Sequence, residues 1–482
     1  MSRAAIIGGG LIGGGWAARF MLNGWDVAVF DPDPEAKRKI AAVLANARRA
    51  LPALYDRALP AEGTLTFAAS LDEAVAGADW VQESVSERLD LKHRVYAGIM
   101  EAAPGTVIGS STSGFRAADL ASQGAPVVVV HPFNPVYLLP LVEIAGEPEL
   151  CAKAEALVRS VGMAPLVLRK EIDAFIANRL QEALWREALW LIRDGIATTG
   201  EVDDAIRLGF GLRLGQMGLF ETYRIAGGET GYRHYLEQFG PSLSWPWSRL
   251  TDVPDLDGAL VNAICEQSHE QSGDRTIADL ERLRDDNLVG MIRSLRQSGS
   301  GAGGAVLAHE ALLPTGGTLD GLPVTAARQV PPGWADYNGH MNEAAYLEAG
   351  TWATDGLMQL IGADAAYVAS GKSFFTVDTR IRYLAEMHVG ERLAATTQVL
   401  EGAGRKMRLF HRIFRADGTL SATIETLLLH TDLTTRRACP PEPEVARQLE
   451  RYAAAHAGIT AEGAGQAVGQ RAPAPAKERD IA

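Results

Sequence analysis

The stretch AAIIGGGLIG, residues 4–13, decides the fold of the first half of the chain. Residues 4–7 are apolar and read as a buried parallel strand. Glycines then fall at 8, 10 and 13 in GxGxxG spacing, just as a helical pattern opens. Each glycine has a separate task. Gly8 permits a tight turn, Gly10 lets the backbone approach a pyrophosphate, and Gly13 lets the helix lie close on the strand. The pyrophosphate would sit on amides at the helix start, around Leu11 and Ile12. A second strand pattern, Asp26–Phe30, ends at Asp31, eighteen residues past Gly13. That carboxylate can accept bonds from ribose hydroxyls and would repel a 2′-phosphate, so NAD is expected over NADP.

Working outward, residues 80–82, 107–109 and 127–130 repeat the short apolar strand pattern between helical stretches. Such alternation predicts an α/β Rossmann domain with a mostly parallel sheet over residues 1–172. From Ile172 the apolar positions Phe175, Ile176, Leu180, Leu184, Leu191 and Ile192 take helical spacing. Helical patterns continue to about Leu295, predicting an all-α domain over 173–296. The Gly/Ser run SGSGAGG at 298–304 has the composition of a flexible linker, placed at 297–321. Beyond it, a helical pattern at 343–361 precedes alternating strands. Residues 373–384 put Phe375, Val377, Thr379, Ile381 and Tyr383 on one face. Residues 406–415 alternate too, and Asp417-Gly418 signals a hairpin before 420–429. This predicts an α+β domain over 322–437, with residues 438–482 forming a helix and then a disordered Ala-, Gly- and Pro-rich tail from about Ile459.

Composition narrows the function. Lys plus Arg is 46 and Asp plus Glu is 59, a net charge of −13, which argues against a nucleic-acid or anionic-membrane binder. Three cysteines, Cys151, Cys265 and Cys439, lie far apart without a CxxC pair, so neither a disulfide framework nor a zinc site is expected. No metal is expected elsewhere. No apolar run is long enough to span a membrane. The sequence passes from Met1-Ser2-Arg3 straight into strand pattern, which makes the cytoplasm the expected compartment.

The chemistry centres on HPFNPVYLLPLVE, residues 131–143, after an apolar strand. Ligands in open α/β sheets bind at the carboxyl ends of strands. His131 there can act as a general base near neutral pH, and Glu143 can hold its other ring nitrogen and stabilise the imidazolium. This segment is similar to the signature of the 3-hydroxyacyl-CoA dehydrogenase family. So are SSTSGF (110–115), ERLDLK (87–92) and FIANR (175–179), in order over roughly residues 1–225. The resemblance implies that His131 takes the substrate hydroxyl proton while hydride leaves the same carbon, and that Glu143 orients His131. Ser113 and Asn178 would hold the substrate oxygen. Glu87 and Lys92 match positions that contact the cofactor.

Two departures bear on substrate. Fatty 3-hydroxyacyl-CoA enzymes carry a longer basic insertion after the second strand; here residues 34–66 are short, though they hold Lys37, Arg38, Lys39, Arg48 and Arg49. The second domain carries GLFETYRIA (218–226), GYRHY (231–235) and SWPWS (244–248). Phe220, Glu221, Tyr223, Tyr232, Trp245 and Trp247 thus cluster in sequence, and aromatic faces attract quaternary ammonium groups. These departures resemble the L-carnitine dehydrogenase branch, which implies L-carnitine as substrate and 3-dehydrocarnitine as product. A short 3-hydroxyacyl-CoA is the alternative.

In the third domain, WADYNGHMN (334–342) before a helix resembles the start of the hotdog fold of acyl-CoA thioesterases, over about residues 322–435. Asp336 matches the acidic position that attacks the thioester or activates water. Amides near Gly339 and His340 would form an oxyanion site, with His340 orienting groups. His388, His411 and His430 read as structural. The pairing of domains implies hydrolysis of a small acyl-CoA, betainyl-CoA, the alternative being a non-catalytic acyl-CoA-binding or dimerisation module. Both parent families dimerise, so a homodimer is expected.

Overall fold

The computed structural model describes residues 2–226, 248, 257–272, 274–313 and 317–466. It divides into two compact units, residues 1–55 with 59–312, and residues 56–58 with 313–482.

The first unit is built on an eight-stranded sheet of order β3-β2-β1-β4-β5-β6-β7-β8. Its strands are β1 (Arg3–Ile7), β2 (Asp26–Phe30), β3 (Leu65–Phe67), β4 (Trp80–Glu83), β5 (Ile108–Ser110), β6 (Val127–Pro132), β7 (Leu141–Ala145) and β8 (Ala164–Val167). Strand order reverses between β1 and β4, which creates the crevice where dinucleotides bind. Connections run through α1 (Leu11–Leu22), α2 (Ala36–Ala50), α3 (Leu71–Val75), α4 (Leu89–Ala102), α5 (Ala117–Leu120) and α6 (Pro148–Ser160). The core under the sheet includes Ile7, Val81, Ile108, Val129, Tyr96, Ile99 and Phe175, all buried. Only β6 and β7 are antiparallel, and their register sets His131 directly opposite Glu143.

Among the described residues six helices follow: α7 (Ala177–Arg193), α8 (Thr199–Ala205), α9 (Gly211–Ala226), α10 (Gly258–Ser272), α11 (Ile277–Gln297) and α12 (Gly301–Glu310). Capping boxes fix two starts, Thr198 with Glu201 and Thr276 with Asp279. α11 returns to the Rossmann layer. There the buried Asp285 accepts from the Tyr137 hydroxyl at 2.8 Å and pairs with Arg49 at 3.7 Å.

The linker expected at 297–321 is corrected here. Residues 301–310 form α12, packed on α11 inside the first unit. The glycines serve close approach rather than flexibility: a Cβ on Gly303 would stand 2.1 Å from the Arg296 backbone nitrogen.

The second unit is an antiparallel sheet of order β11-β14-β13-β12-β10-β9, with β15 beside β14. The strands are β9 (Thr318–Leu319), β10 (Leu322–Gln329), β11 (Lys372–Tyr383), β12 (Arg392–Ala403), β13 (Lys406–Arg415), β14 (Leu420–Asp432) and β15 (Arg437–Ala438). Helix α13 (Glu343–Leu360) lies across the sheet so closely that a Cβ on Gly356 would meet the Thr325 carbonyl oxygen at 1.9 Å. This is the hotdog arrangement. Helices α14 (Ala365–Ala369) and α15 (Pro443–His456) complete the unit, and α15 packs on β12.

Two readings of this unit change. The alternating face of β11 is split by the register shift between Thr376 and Asp378: up to it Phe375 and Val377 are exposed while Phe374 is buried, and beyond it Ile381 packs on the core and the half-exposed Tyr383 meets Tyr346 of α13. The tail expected to be disordered from Ile459 is held as far as Gln466. The carbonyl of Ile459 accepts from Gln398 at 2.6 Å, that of Thr460 from Arg412 at 2.7 Å, and the Gly465 amide donates to Glu425 at 2.7 Å.

Candidate active sites

The GxGxxG turn has the shape its residues require. Gly8 takes φ +102°, and a Cβ there would stand 2.6 Å from the Ser84 carbonyl oxygen. A Cβ on Gly13 would collide with the Gly8 oxygen at 1.8 Å, so α1 lies on the turn as only glycine permits. Gly10 is exposed and a Cβ there would meet nothing within 4 Å, which leaves the helix start open to a phosphate. Leu11 is exposed and Ile12 half-buried in this first turn. Asp31 accepts the Gly9 amide at 2.5 Å and the Asp33 amide at 2.8 Å, which holds its carboxylate beside the glycine turn. The open turn, the helix amides and Asp31 fit a dinucleotide.

At the far end of the sheet, His131 Nδ1 lies 3.0 Å from Glu143 Oε2. His131 is 4% exposed and Glu143 is fully buried. The second oxygen, Oε1, accepts the amides of Ile176 and Ala177, both at 2.9 Å, where α7 begins. Burial alone would push the Glu143 carboxyl up. Hydrogen bonds from His131, Ala177 and Ile176 outweigh it and hold the group below the usual carboxylate range. The carboxylate therefore stays charged, fixes the ring tautomer with Nδ1 as donor and leaves Nε2 for chemistry. Phe133 and Phe175 wall the imidazole, with ring centres 4.8 and 5.3 Å away.

Ser113 and Asn178 are brought together, the Asn178 amide donating to the Ser113 carbonyl at 2.9 Å. Glu87 organises the same loop: its Oε1 accepts the amides of Ser113 at 3.0 Å and Gly114 at 3.1 Å, and the Thr112 hydroxyl. Lys92 lies beneath, 1% exposed, with Nζ 2.8 Å from Glu83 and 3.3 Å from Glu87. Its buried ammonium serves these two carboxylates, and Glu87 is the partner that faces outward. Glu83, which sequence reasoning passed over, is fully buried and also accepts from Tyr96 at 2.6 Å and Ser110 at 2.7 Å. Phe175, part of the helical pattern and first residue of the FIANR motif, sits before α7 with φ +56°. Its strained backbone aims the ring at His131 and the next two amides at Glu143.

Lys37, Arg38, Lys39, Arg48 and Arg49 have partners inside the unit. Arg38 pairs with Glu35 at 2.6 Å, Lys39 with Asp33 at 2.6 Å, Arg48 with Glu62 at 2.6 Å, and Arg49 with Asp286. Lys37 stands over the Phe67 ring at 5.4 Å. Of the aromatic cluster, Phe220 is 71% exposed on α9 and Tyr223 is half-buried. The Glu221 side chain and Tyr232, Trp245 and Trp247 lie outside the described residues.

In the second unit, Asp336 opens a cavity of about 440 Å³ whose wall includes His340, Glu343, Tyr346, Tyr383 and Glu386. Partial burial raises the Asp336 carboxyl, but backbone bonds from Asn338 and His340 outweigh it and hold the group below its ordinary value. The amides near Gly339 and His340 do not form an open oxyanion site here. The Gly339 amide donates to the Asp336 carbonyl at 3.1 Å, and the His340 amide to its carboxylate at 3.2 Å. A tight turn thus consumes donors that sequence reading left free. His340 lies 3.5 Å from Glu386 and packs on His388 with ring centres 4.7 Å apart. His411 is fully buried between Thr354 and Thr397, and His430 is tied to Tyr367 and the Cys439 carbonyl. Both are structural.

The sequence matches the 3-hydroxyacyl-CoA dehydrogenase NAD binding domain over residues 3–172 and the C-terminal domain of that family over 175–278. It matches the thioesterase-like superfamily over 330–449. These define the class: a 3-hydroxyacyl-CoA dehydrogenase joined to a thioesterase-like domain. A Ruegeria pomeroyi protein named L-carnitine dehydrogenase/betainyl-CoA thioesterase is 56% identical, across 97% of this chain and 99% of its own. An Agrobacterium fabrum protein of the same name is 50% identical over 97% and 98%. The L-carnitine dehydrogenase of Pseudomonas aeruginosa is 50% identical over 61% of this chain and 94% of its own. Among solved structures, an NAD+-dependent 5-formyl-3-hydroxy-2-methylpyridine 4-carboxylic acid 5-dehydrogenase aligns with TM-score 0.51 and 29% identity, over 61% of this chain and 99% of that one. The chain belongs to the family of L-carnitine dehydrogenase/betainyl-CoA thioesterases.

Proposed function

We propose that the chain is a bifunctional enzyme that oxidises L-carnitine to 3-dehydrocarnitine with NAD and hydrolyses betainyl-CoA. The observation that carries the first activity is the buried His131–Glu143 pair, anchored by the α7 amides on the sheet that bears the dinucleotide turn. Nε2 of His131 takes the hydroxyl proton of the substrate. Glu143 stabilises the imidazolium so formed, and Ser113 and Asn178 hold the substrate oxygen. The nicotinamide, when bound, accepts the hydride. Gly8, Gly10, Leu11, Ile12, Gly13 and Asp31 would hold the dinucleotide, with Glu87 as a further contact that Lys92 fixes in place.

L-carnitine is favoured over an acyl-CoA because Arg38, Lys39, Arg48 and Arg49, four of the cations in residues 34–66, are already paired with carboxylates. The trimethylammonium group is assigned to Phe220, Glu221, Tyr223, Tyr232, Trp245 and Trp247. In the second unit, Asp336 acts on the thioester carbonyl directly or through water. Water adds, the C–S bond breaks, and CoA leaves as the thiol. A homodimer is supported by the exposed apolar side chains Leu180, Leu184 and Trp185 on α7 and Leu212 on α9. Use of NAD supports a cytoplasmic setting. Among the described residues no helix is long and apolar enough to cross a membrane.

The test follows NADH absorbance with L-carnitine, D-carnitine and 3-hydroxybutyryl-CoA, and thiol release from betainyl-CoA. Turnover of L-carnitine alone supports the dehydrogenase reading; turnover of the CoA ester alone overturns it. Asp336→Ala is expected to abolish thiol release and leave NADH formation unchanged. Full thiol release by that variant would remove Asp336 from the chemistry.

A further inference from the structure

The cavity at Asp336 has a lining suited to one kind of acyl group. Asp336, Glu343 and Glu386 contribute carboxylates, and among the described residues that line it His340 is the one basic side chain. Tyr346 and Tyr383 form an aromatic corner in the same wall, with ring centres 5.3 Å apart and planes at 79°. The corner is anchored. Tyr346 is 4% exposed, and its hydroxyl reaches the Ala385 carbonyl and Ser421, each at 3.3 Å. Tyr383 lies 51% exposed at the end of edge strand β11, its hydroxyl 3.4 Å from the Glu343 carbonyl. The two tyrosines come from α13 and β11, so the corner exists only when helix and sheet are packed.

Charge and shape select the occupant. A carboxylate-rich cavity repels the phosphates of CoA and any acidic acyl chain, and it offers a neutral chain no electrostatic gain. A fixed cation gains twice: from the carboxylates and from the negative faces of the rings. A quaternary ammonium suits the corner better than a primary amine, because it cannot hydrogen-bond and loses less hydration on entering. At about 440 Å³ the cavity falls within the range of small-molecule pockets, about 300–1,000 Å³.

We propose that Tyr346 and Tyr383, with Glu343 and Glu386, form the subsite that binds the quaternary ammonium of the acyl group, so that this cavity selects cationic acyl thioesters beside Asp336. The inference rests on the thioesterase reading and deepens it. It assigns selectivity to the acyl end of the substrate and to side chains on α13 and the β11 edge.

The experiment uses the full chain and two thioesters of nearly identical shape. Trimethylammonioacetyl-CoA carries the charge; 3,3-dimethylbutanoyl-CoA replaces the nitrogen by carbon and is neutral. Thiol release gives kcat/KM for each. The expected result is a preference of at least about tenfold for the cationic ester, an energy that one or two cation–π contacts can supply. Tyr383→Leu and Glu343→Gln should each reduce that ratio, chiefly by raising KM for the cationic ester, while the rate on the neutral ester stays within about twofold. Tyr383→Phe keeps the ring and should keep the ratio, which separates recognition of the cation from a structural role of this residue. Equal turnover of the two esters by the unaltered enzyme would overturn the subsite and leave the thioesterase standing. Hydrolysis of neither would overturn both. Variants that slow both esters equally would also count against the subsite.

Discussion

The smallest unit on which the proposed dehydrogenase chemistry rests is one carboxylate with three donors. Glu143 receives His131 on one oxygen and two backbone amides on the other. Glu143→Gln preserves the shape but removes the charge that balances the imidazolium and presents an N–H to a ring or an amide that also donates. The expected loss in kcat for L-carnitine oxidation is about 10²- to 10⁴-fold, with NAD affinity unchanged, measured by single-turnover NADH formation beside a binding titration. His131 and Glu143 were legible in sequence because a histidine at a strand end, locked between prolines ahead of a glutamate, is an unusual arrangement. The amides of Ile176 and Ala177 were not legible. Backbone donors carry no sequence mark, and their approach to Glu143 depends on how α7 meets the sheet. The same limit hid Glu83, whose role depends on Lys92, Tyr96 and Ser110 converging from different elements.

At the scale of elements, glycine content misled where it stood for close packing. Within residues 298–304 the run reads as flexible by composition, yet Gly303 is where α12 crosses α11 at backbone contact. Gly303→Ala should lower stability by about 1–3 kcal/mol, because backbone atoms at 2.1 and 2.3 Å cannot yield as a side chain would. Gly290, inside α11, is exposed, and a Cβ there would meet nothing within 4 Å. Gly290→Ala should therefore raise stability by about 0.5–1 kcal/mol. Calorimetric melting of the pair, shifting in opposite directions, checks the argument; a fall in both would refute it. Strands β1, β2, β4, β5 and β6 were legible as short apolar runs, β11 and β13 by alternation and β14 by its hairpin signal, whereas β3, β7, β8, β10 and β12 were not read. The change of face within β11 was not legible, since a bulge that swaps inward and outward positions leaves no mark in the alternation itself.

Across the whole molecule, each unit keeps a buried histidine neutral. In the first, burial and the charge of Arg19 push His309 down to about 4, with its Nδ1 3.0 Å from the Tyr55 hydroxyl. In the second, burial pushes His411 down to about 3. Both folded values lie below the unfolded histidine value of about 6.5, so the unfolded chain binds the extra proton first. Stability is therefore full above about pH 6.5 and falls as pH drops toward the folded values, by about 3 kcal/mol for His309 at pH 4. Urea midpoints at pH 7 and pH 4.5 should show the loss. His309→Gln, which cannot titrate, should flatten the part that belongs to the first unit.

The contact between Glu143 and the start of α7 also bears on modularity. The NAD-binding region matched over residues 3–172 ends just short of the two amides that hold its own glutamate. The seam between the sheet layer and the helical layer thus runs through the His131–Glu143 pair rather than beside it. A recombination that exchanged the helical part between relatives would redraw the geometry of a histidine–glutamate pair whose side chains both lie elsewhere. Inheritance of this activity as one block, with the helical segment travelling beside its glycine turn, follows from a carboxylate that borrows its support from the next domain.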